Sequence, residues 1–438
     1  MSKAGGIRIG VVGLGTVGQG VWKHLRARQP ELELHMGGKF VLARAAVRHL
    51  DKKRSVRIPA KALTDDPMSI ACDPEIDILC ELMGGTREAL AVTKAALKAG
   101  KTVVTANKAL LCEHGEELFA LARQNGAHIY FEASVAGGIP IIKALREGLV
   151  VNHFPLIYGI LNGTCNYILT RMEREGQSFE AILEDARKLG YVEADESLDL
   201  DGWDAAHKAV IIAYLAHGKW IPLKKMPVEG IRDVTLEDIQ WAQRLGFKIK
   251  LLALILRDFK NGHVFASVQP ALVPGDMVLG NVDGVFNAIS VTGDIVGESV
   301  YIGRGAGQDA TASAVISDII DAGTTISHGI RPEEPLNCAD LKLAKPEDVY
   351  RSFYVRLSVK DRPGVLAEVA GILAEEGISI ESVLQRPNGG QGLANLVLTT
   401  HVCTEAAMAA AVARLKRHKS LNRKPFLLRI ADFAQRLG

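Results

Sequence analysis

The chain of 438 residues has a formal net charge of +2, and its composition is 48% hydrophobic and 23% charged. This length exceeds one ordinary hydrophobic core and predicts two to four globular domains, while the near-neutral charge argues against a nucleic-acid partner. No apolar run reaches the roughly 18–20 residues that span a bilayer, the N-terminus shows no secretion signal, and the scattered cysteines form no CxxC pair, so a reduced cytoplasmic protein without a membrane partner is expected.

The N-terminal segment alternates short apolar runs with helical periodicity. The runs indicate buried strands, and stretches such as 86–100, which ends at a glycine, indicate the helices between them. This alternation is typical of βαβ units in a parallel sheet. We therefore predict a Rossmann-like domain over residues 1–134, completed by a helix at about 305–328. The predicted strands are 7–12, 40–47, 76–82, 101–106 and 128–134.

The motif GLGTVG at 13–18 has the G-x-G-x-x-G spacing of a dinucleotide-binding turn. It follows a predicted strand and opens a predicted helix, whose free N–H groups favour phosphate. Gly13 permits the tight turn, Gly15 lets the backbone approach a pyrophosphate, and Gly18 lets helix and strand pack closely. The alternative is a glycine turn with a purely structural role. The predicted cofactor contacts are Gly13, Gly15, Thr16, Val17, Gly18, Arg48, Arg54, Gly85, Thr86 and Lys108.

The end of the second predicted strand indicates which nicotinamide cofactor is preferred. An acidic residue there would bind the ribose 2′-hydroxyl of NAD, whereas a basic residue suits the 2′-phosphate of NADP. The segment 48–54 contains Arg48 and Arg54 with two lysines between them, and Asp51 is its one acid. We therefore predict that NADP(H) is favoured over NAD(H). The alternative is an exposed basic loop that binds nothing.

Two lysines and a run of acids are the candidate catalytic groups. The segment 193–208, EADESLDLDGWDAAHK, is rich in acids and runs into a predicted helix that soon becomes apolar. Asp204 and Lys208 are four residues apart, so they share one face of that helix, at the edge of its apolar stripe. Lys108 follows the strand 101–106, and ligands bind beyond the carboxyl ends of such strands. The alternative is that the acids are favoured only by the helix dipole and that both lysines are solvated.

The rest of the chain divides into further predicted domains. Residues 135–304 mix helical and strand patterns, which indicates an α+β domain. Our hypothesis for this domain is substrate binding, catalysis and dimerisation. A proline- and charge-rich linker is predicted at 331–350. Residues 351–438 follow the order βαββαβ of a ferredoxin-like unit. The predicted fold class is α/β, with a Rossmann-like domain, an α+β domain and a ferredoxin-like domain at the C-terminus.

Several segments make the sequence similar to the homoserine dehydrogenase family over nearly the whole chain. The segment 189–208 follows a pattern that is specific to that family, and it departs at Glu196, where the family usually has proline. The C-terminal unit resembles an ACT domain, best in DRPGVLAEVAGILAEEGISIESVLQ. The matching segments are GLGTVG (13–18), TANK (105–108), FEASVAGGIPII (131–142), LNGTCNYIL (161–169), LGYVEADESLDLDGWDAAHK (189–208) and GAGQDATASAV (305–315).

The resemblance implies an enzyme that reduces L-aspartate 4-semialdehyde to L-homoserine with NAD(P)H, in the pathway to threonine and methionine. It implies that Lys208 donates the proton to the carbonyl oxygen and that Lys108 contacts both substrate and cofactor. Glu193 and Asp204 match the acids that hold the substrate, and Asp199 is a helper. Carboxylates suit this substrate because it has an ammonium group.

The resemblance also implies contacts that no pattern alone indicates. Gly190 and Gly305 match glycines on the nicotinamide side of the cofactor. A monovalent-cation site of the sodium type, built mainly from backbone carbonyls, is implied where the sequence shows only an Ala-Gly-Gly turn. The alternative is a plain turn without an ion. The residues that match the cation site are Glu132, Val135, Gly137 and Ile139.

The segment NGTCN at 162–166 allows two interpretations. Its amides and hydroxyl, among them Asn162, shape the substrate pocket, or they cap a helix that starts at Tyr167. His207, beside Lys208, has no partner that the sequence identifies, and we interpret it as structural.

The ACT resemblance implies regulation. Such domains bind small amino acids between copies, so we hypothesise feedback inhibition by threonine in a homo-oligomer, a dimer or tetramer. Two alternatives stay open: another Rossmann dehydrogenase with an ACT unit, such as a hydroxy-acid dehydrogenase, and a non-catalytic amino-acid sensor. The first would pair an Arg/Glu/His set with its substrate, and the second would not need Lys108, Glu193, Asp204 and Lys208.

Overall fold

The structure, a computed structural model, describes residues 6–188, 196–329, 340–387, 392–431 and 436–437. Its internal contacts divide the chain into two compact units. The first unit comprises Met1–Val151, Val210–Leu223 and Tyr301–Cys338, and the second comprises Asn152–Ala209, Lys224–Val300 and Ala339–Gly438. Within the ranges that the structure describes, no helix combines the length and the apolarity needed to cross a membrane.

A parallel sheet forms the centre of the first unit. Its strands are β1 Ile7–Val12, β2 Phe40–Ala46, β3 Leu63–Thr64, β4 Ile78–Glu81, β5 Thr102–Thr105 and β6 Ile129–Tyr130. They lie in the order β3-β2-β1-β4-β5-β6, with every neighbouring pair parallel. This is the strand order of a doubly wound dinucleotide-binding sheet. β4 and β5 are buried along their whole length because helices cover both faces.

A second, mixed sheet lies in the remainder of the chain. Its strands are β7 Leu156–Ile160, β8 Phe247–Asp258, β9 His263–Pro274, β10 Phe286–Gly293, β11 Gly297–Arg304, β12 Lys342–Leu343, β13 Val349–Lys360, β14 Ile380–Pro387, β15 Leu393–Thr400, β16 Cys403–Thr404, β17 Phe426–Ile430 and β18 Arg436–Leu437. The main order is β11-β10-β7-β8-β9-β17-β13-β15-β14. β8 and β9 form a long antiparallel pair whose central residues are buried.

The helices are placed by local signals in the sequence. They are α1 Thr16–Ala27, α2 Gln29–Met36, α3 Met68–Ala71, α4 Arg87–Lys98, α5 Lys108–Asn125, α6 Ile141–Lys143, α7 Gly163–Glu175, α8 Phe179–Lys188, α9 Ser197–Leu200, α10 Trp203–His217, α11 Leu236–Arg244, α12 Gln308–His328, α13 Val365–Glu375 and α14 Glu405–Leu415. In α1 the apolar residues Val21 and Leu25 are fully buried, and Val17 is half-buried. α5 and α7 both begin after an asparagine cap and end at a left-handed glycine.

The α/β fold class is confirmed, and the C-terminal order βαββαβ is observed as β13-α13-β14-β15-α14-β17. One feature was not predicted: β17 lies between β13 and β9, antiparallel to the first and parallel to the second. The ferredoxin-like sheet therefore continues the sheet of residues 152–300. Of the predicted linker, residues 331–339 lie outside the described ranges.

Two local predictions were wrong. The last strand of the first sheet ends at Tyr130 instead of reaching residue 134, because Glu132–Ser134 turn into a short 3-10 helix. The helix after NGTCN begins at Gly163 and not at Tyr167, because Asn162 itself is the cap. In both places a turn comes earlier than the apolar pattern indicates.

Candidate active site

The glycine-rich turn joins β1 to α1 and leaves its backbone accessible. Gly13 has a φ of 97°, and an added Cβ there would lie 2.5 Å from the carbonyl oxygen of Leu82. A Cβ at Gly18 would lie 2.1 Å from the carbonyl oxygen of Gly13. At Gly15 an added Cβ would meet no described atom within 4 Å, chain neighbours aside. A phosphate could therefore approach the backbone at Gly15 and the N–H groups of Thr16 and its neighbours.

The basic loop after β2 is tied to this turn. The side-chain oxygen of Gln19, on α1, accepts hydrogen bonds from the backbone nitrogen and the hydroxyl of Ser55 at 2.7 and 2.9 Å. The guanidinium of Arg54 donates back to the carbonyl of Lys52 at 2.8 Å and so holds the loop in shape. Arg48 is exposed just beyond the end of β2. The two predicted basic residues thus differ, since Arg54 supports the loop and Arg48 is accessible.

The carboxyl end of β4 holds an acid that the sequence analysis did not single out. Glu81 is fully buried, and its carboxylate accepts hydrogen bonds from the Thr105 hydroxyl at 2.7 Å and the Met83 nitrogen at 2.9 Å. Burial raises the pKa of Glu81 to about 7, although these hydrogen bonds oppose the rise. A signal was present in the sequence: an acid at the end of an otherwise apolar strand, ILCE.

Asn107 connects the loop after β4 to the start of α5. Its side-chain oxygen accepts from the nitrogen of Leu110 at 3.1 Å, and its amide donates to the carbonyl of Gly85 at 2.8 Å. Thr86 occupies the position before the first residue of α4, and Lys108 is the first residue of α5 and is half-buried. Gly85, Thr86 and Lys108 are therefore held at one edge of the sheet, beyond the carboxyl ends of its strands.

The second unit brings the lysine and two of the acids together. On α10, the Lys208 ammonium donates to Asp204 Oδ2 at 2.7 Å and to the carbonyl of Leu161 at 2.6 Å. Lys208 and Asp204 are 8% and 6% exposed, so the predicted helix-face pair is a buried ion pair. The side-chain amide of Asn162 donates to Asp204 Oδ2 at 2.9 Å and to Asp199 Oδ1 at 2.7 Å. A single asparagine thus bridges both acids.

Asn162 caps α7 and also contacts both acids of the cluster. Its oxygen accepts from the nitrogen of Cys165 at 2.8 Å and caps α7, while its nitrogen faces the acids. The Cys165 thiol is buried and lies 3.2 Å from the carbonyl oxygen of Asp199. The start of α7 is therefore fastened to α9 at two points.

The acids of this cluster favour a positive partner. Burial raises the pKa of Asp199, and the neighbouring Asp204 raises it further, while the amide of Asn162 opposes both effects. The ammonium of Lys208 neutralises one carboxylate of the pair. A ligand with an ammonium group would neutralise the other.

Other predicted site residues cannot be placed with this cluster. Glu193 and Gly190 lie outside the described residues. Lys108 and Gly305 belong to the first unit, with Gly305 between β11 and α12.

The predicted cation turn is compact and acidic. Ala136 has a φ of 48°, a conformation that a non-glycine residue seldom adopts, and a Cβ at Gly137 would lie 2.9 Å from the Thr311 hydroxyl. Glu132 is buried, and its carboxylate accepts from the backbone nitrogens at the start of α6. Its own nitrogen donates to Asp318 at 2.8 Å, and burial raises the pKa of both carboxyls, each of which lies near the other. A cation beside them would fit these charges.

Comparison with known proteins decides the family. The family profile "Homoserine dehydrogenase, NAD binding domain" matches residues 13–132, "Homoserine dehydrogenase" matches 140–320, and "ACT domain" matches 353–419. Over 417 residues the chain is 41% identical to the homoserine dehydrogenase of Pseudomonas aeruginosa, which covers 94% of this chain and 95% of the relative. The chain belongs to the homoserine dehydrogenase family. Like the family, it is an oxidoreductase with an NAD-binding domain.

Solved homoserine dehydrogenases share the fold over most of this chain. The enzyme from Thiobacillus denitrificans superposes with a TM-score of 0.90 at 40% identity, covering 97% of this chain and 98% of that one. A hyperthermophilic archaeal homoserine dehydrogenase, solved in complex with NADPH, matches with a TM-score of 0.60 at 28% identity, over 72% of this chain and 97% of that one. The Rossmann-like, catalytic and ACT parts of the predicted fold are confirmed.

Proposed function

We propose that the enzyme reduces L-aspartate 4-semialdehyde to L-homoserine and that Lys208 supplies the proton. The observation that supports this most is the buried Lys208–Asp204 pair, which Asn162 connects to Asp199. Bound NAD(P)H supplies the hydride for the carbonyl carbon. The Lys208 ammonium then gives a proton to the carbonyl oxygen and is left neutral, and in the oxidative direction it takes the proton back.

The acids orient the substrate in this proposal. Asp204 holds the Lys208 ammonium through a four-residue helical spacing, so the proton donor has a fixed position on α10. Asp199, which the amide of Asn162 fixes from one side, is available to the substrate ammonium together with Glu193. Lys108, at the first turn of α5, is assigned to both substrate and cofactor.

Replacement of Lys208 tests the assignment. We expect Lys208→Ala to lower kcat by about 100-fold or more, the usual contribution of a positioned general acid, while the Kd for NADPH stays unchanged. Lys250→Ala is the matched control, because Lys250 is a buried lysine of the same unit that pairs with Asp283 at 3.0 Å and not with Asp204 or Asp199. Equal loss of kcat in the two variants would mean that Lys208 is structural.

We also propose a preference for NADPH. The accessible Arg48 beyond β2 and the loop that Arg54 holds in shape support it, and a related enzyme was solved with NADPH. Arg48→Ala should raise the KM for NADPH and leave that for NADH unchanged. If the ratio of the KM for NADPH to the KM for NADH were the same in wild type and Arg48→Ala, the role of Arg48 would be refuted.

A sodium-type cation is proposed at the turn that contains Glu132, Val135, Gly137 and Ile139. The positive φ of Ala136 and the buried acids Glu132 and Asp318 support it. Backbone carbonyls of the turn would supply most of the ligands. Exchange of sodium for choline in the buffer should lower the thermal midpoint; equal midpoints in the two salts would count against the site.

Threonine is proposed as the regulator, bound by the ACT domain in a homo-oligomer. The ACT match at 353–419 supports a small-molecule site, and the continuous sheet through β17 offers a structural route to residues 152–300. Activity should fall as threonine is added. An inhibition curve that stays flat up to millimolar threonine would contradict this proposal.

A further inference from the structure

A chain of contacts leads from β17 of the C-terminal sheet to the acids of the substrate cluster, all within the second unit. It begins at Arg429 on β17, whose side chain is 11% exposed. The guanidinium donates to Glu405 Oε1 at 3.0 Å and, through its other side, to Glu229 Oε2 at 2.6 Å. The arginine therefore joins the start of α14 to a segment far from it in sequence.

Glu229 is held from two directions. Its second carboxylate oxygen accepts from the side chain of Gln269, on β9, at 2.7 Å. Its backbone nitrogen donates to the carbonyl of Val268 at 2.8 Å, and Val228 forms a parallel bridge with the same residue. Glu229 thus has a fixed place beside β9, and Arg429 adds the one contact of this set that comes from the C-terminal sheet.

The residues that follow Glu229 contact the end of α9. A Cβ at Gly230 would lie 2.0 Å from the carbonyl oxygen of Leu200, so no side chain fits between these backbones. The nitrogen of Ile231 donates to that same carbonyl at 2.9 Å. The guanidinium of Arg232 donates to Asp201 Oδ1 at 2.6 Å. Three successive residues, 230–232, therefore hold Leu200 and Asp201.

Asp199, one residue before Leu200, is the acid that Asn162 orients at 2.7 Å. We propose that Arg429 and Glu229 are positioning residues for the substrate acids: the ion pair fixes residues 229–232, and these fix the end of α9 and with it Asp199. The proposal rests on the proposed function, since it treats Asp199 as a substrate ligand. It does not depend on threonine, because the contacts exist without an effector.

The expected size of the effect on KM follows from the solvent exposure of the ion pair. Glu229 is 45% exposed, so solvent screens the pair and its contribution is modest. We expect Glu229→Gln, which keeps an acceptor for Gln269 but removes the charge, to raise the KM for aspartate semialdehyde about threefold to fivefold. The kcat and the KM for NADPH should change by less than about twofold, because the proton donor and the first unit are untouched.

Glu405→Gln is the matched control. It removes the other carboxylate from the same guanidinium but leaves the contact between Arg429 and Glu229 in place. We expect a lower thermal midpoint and an unchanged KM. A rise in KM of the same size in both variants would overturn the proposal, because it would report general loosening of the C-terminal sheet, as would a wild-type KM in Glu229→Gln.

The outcome is separate from that of the proposed function. If the wild-type enzyme did not turn over aspartate semialdehyde, the proposed reaction would fail before any variant was compared. If wild type turned over aspartate semialdehyde and Glu229→Gln did not differ from it, only the positioning role would fail.

A second pair of variants tests the arginine. Arg429→Lys keeps a positive charge, so its KM for aspartate semialdehyde should be closer to that of wild type than the KM of Arg429→Gln.

Discussion

At the scale of single residues, Asn162 links three functions through one side chain. Its oxygen caps α7, and its amide donates to Asp199 and Asp204. The two carboxylates lie close enough for each to act on the other, and the amide keeps them in a common orientation. Loss of the amide would remove one hydrogen bond from each acid and with it the bridge between them.

Replacement of Asn162 by serine should separate these functions. Serine remains a good N-cap, but its hydroxyl is too short to bridge the acids, and each lost hydrogen bond to a charged group is worth about 1.5–3 kcal/mol. We expect kcat/KM for aspartate semialdehyde to fall at least about tenfold, with the Kd for NADPH unchanged. Asn166→Ser is the control, since Asn166 donates to the carbonyls of Val282 and Phe286 instead. An equal loss in the control would contradict this role for Asn162.

Glu81 should make the stability of the enzyme depend on pH. Its pKa is about 7 in the folded protein against an ordinary 4.5, so between these values the folded state binds more protons than the unfolded one. The contribution of Glu81 to the free energy of unfolding is fully present below pH 4.5. It is lost as the pH rises through 7, and the total loss is about 3 kcal/mol. Urea unfolding at pH 5, 6, 7 and 8 should show that the free energy of unfolding falls more with rising pH in wild type than in Glu81→Gln. Parallel curves would refute the assignment.

The sequence predicted part of this site because one of its signals is local. The Asp204–Lys208 pair follows from a four-residue helical spacing, and the structure confirms it. The bridge by Asn162 joins three separate segments, which no spacing reveals. Glu81 could have been noticed as an acid in an apolar strand, but its partners Thr105 and Met83 lie on other strands and loops.

At the scale of elements, a glycine in α5 leaves the space in which a tryptophan that follows α10 packs. A Cβ at Gly115, inside α5, would lie 2.2 Å from the ring of Trp220. That ring stacks on Tyr214 with centroids 4.1 Å apart and lies 6.0 Å from Phe119. The aromatic cluster therefore depends on the missing side chain at position 115.

Two glycine-to-alanine changes should have opposite effects. Gly115→Ala should lower the free energy of unfolding by about 1–3 kcal/mol, since the ring has to move. Gly371→Ala, inside α13, should raise it by about 0.5–1 kcal/mol, because a Cβ there meets no described atom within 4 Å and alanine favours the helix. Urea titrations of both variants test this. Stabilisation by both changes would show that Trp220 has room to move.

Strand and helix types were predictable from periodicity, whereas their ends were not. The strand at 128–134 was predicted too long because the chain turns after Tyr130, where the Glu132 carboxylate accepts hydrogen bonds from backbone nitrogens of α6. The helix was predicted to begin at Tyr167 instead of Gly163, because the sequence did not identify which residue of NGTCN is the cap, and the cap is the first of them, Asn162. In each case a polar side chain, and not the apolar pattern, determines where the element ends.

At the scale of the whole molecule, the C-terminal domain is joined to residues 152–300 by more than a linker. β17 pairs with β9, and the guanidinium of Arg356 on β13 donates to the fully buried carboxylate of Asp238 at 2.6 Å. The sequence predicted the βαββαβ order from local patterns. It could not predict the pairing of β17 with β9, because any strand edge is chemically able to accept another.

Deletion of residues 345–438 should therefore damage the rest of the enzyme. β9 would lose its pairing with β17, and Asp238 would lose the hydrogen bonds from the Arg356 guanidinium and the Tyr354 hydroxyl. We expect the truncated chain to aggregate, as exposed edges do, and to unfold at lower urea concentration than the full chain. Light scattering and urea unfolding measure this. A monodisperse, equally stable fragment would contradict the prediction.

The shared sheet also bears on how the protein is made. β9 leaves the ribosome on the order of 160 residues before β17, which at about 5–20 residues per second is a delay of about 10–30 s. During that time the edge of β9 that later pairs with Arg429 and Ile430 has no native partner. A nascent chain with such an edge is a natural client for chaperones, and slow codons between the two strands would lengthen its exposure.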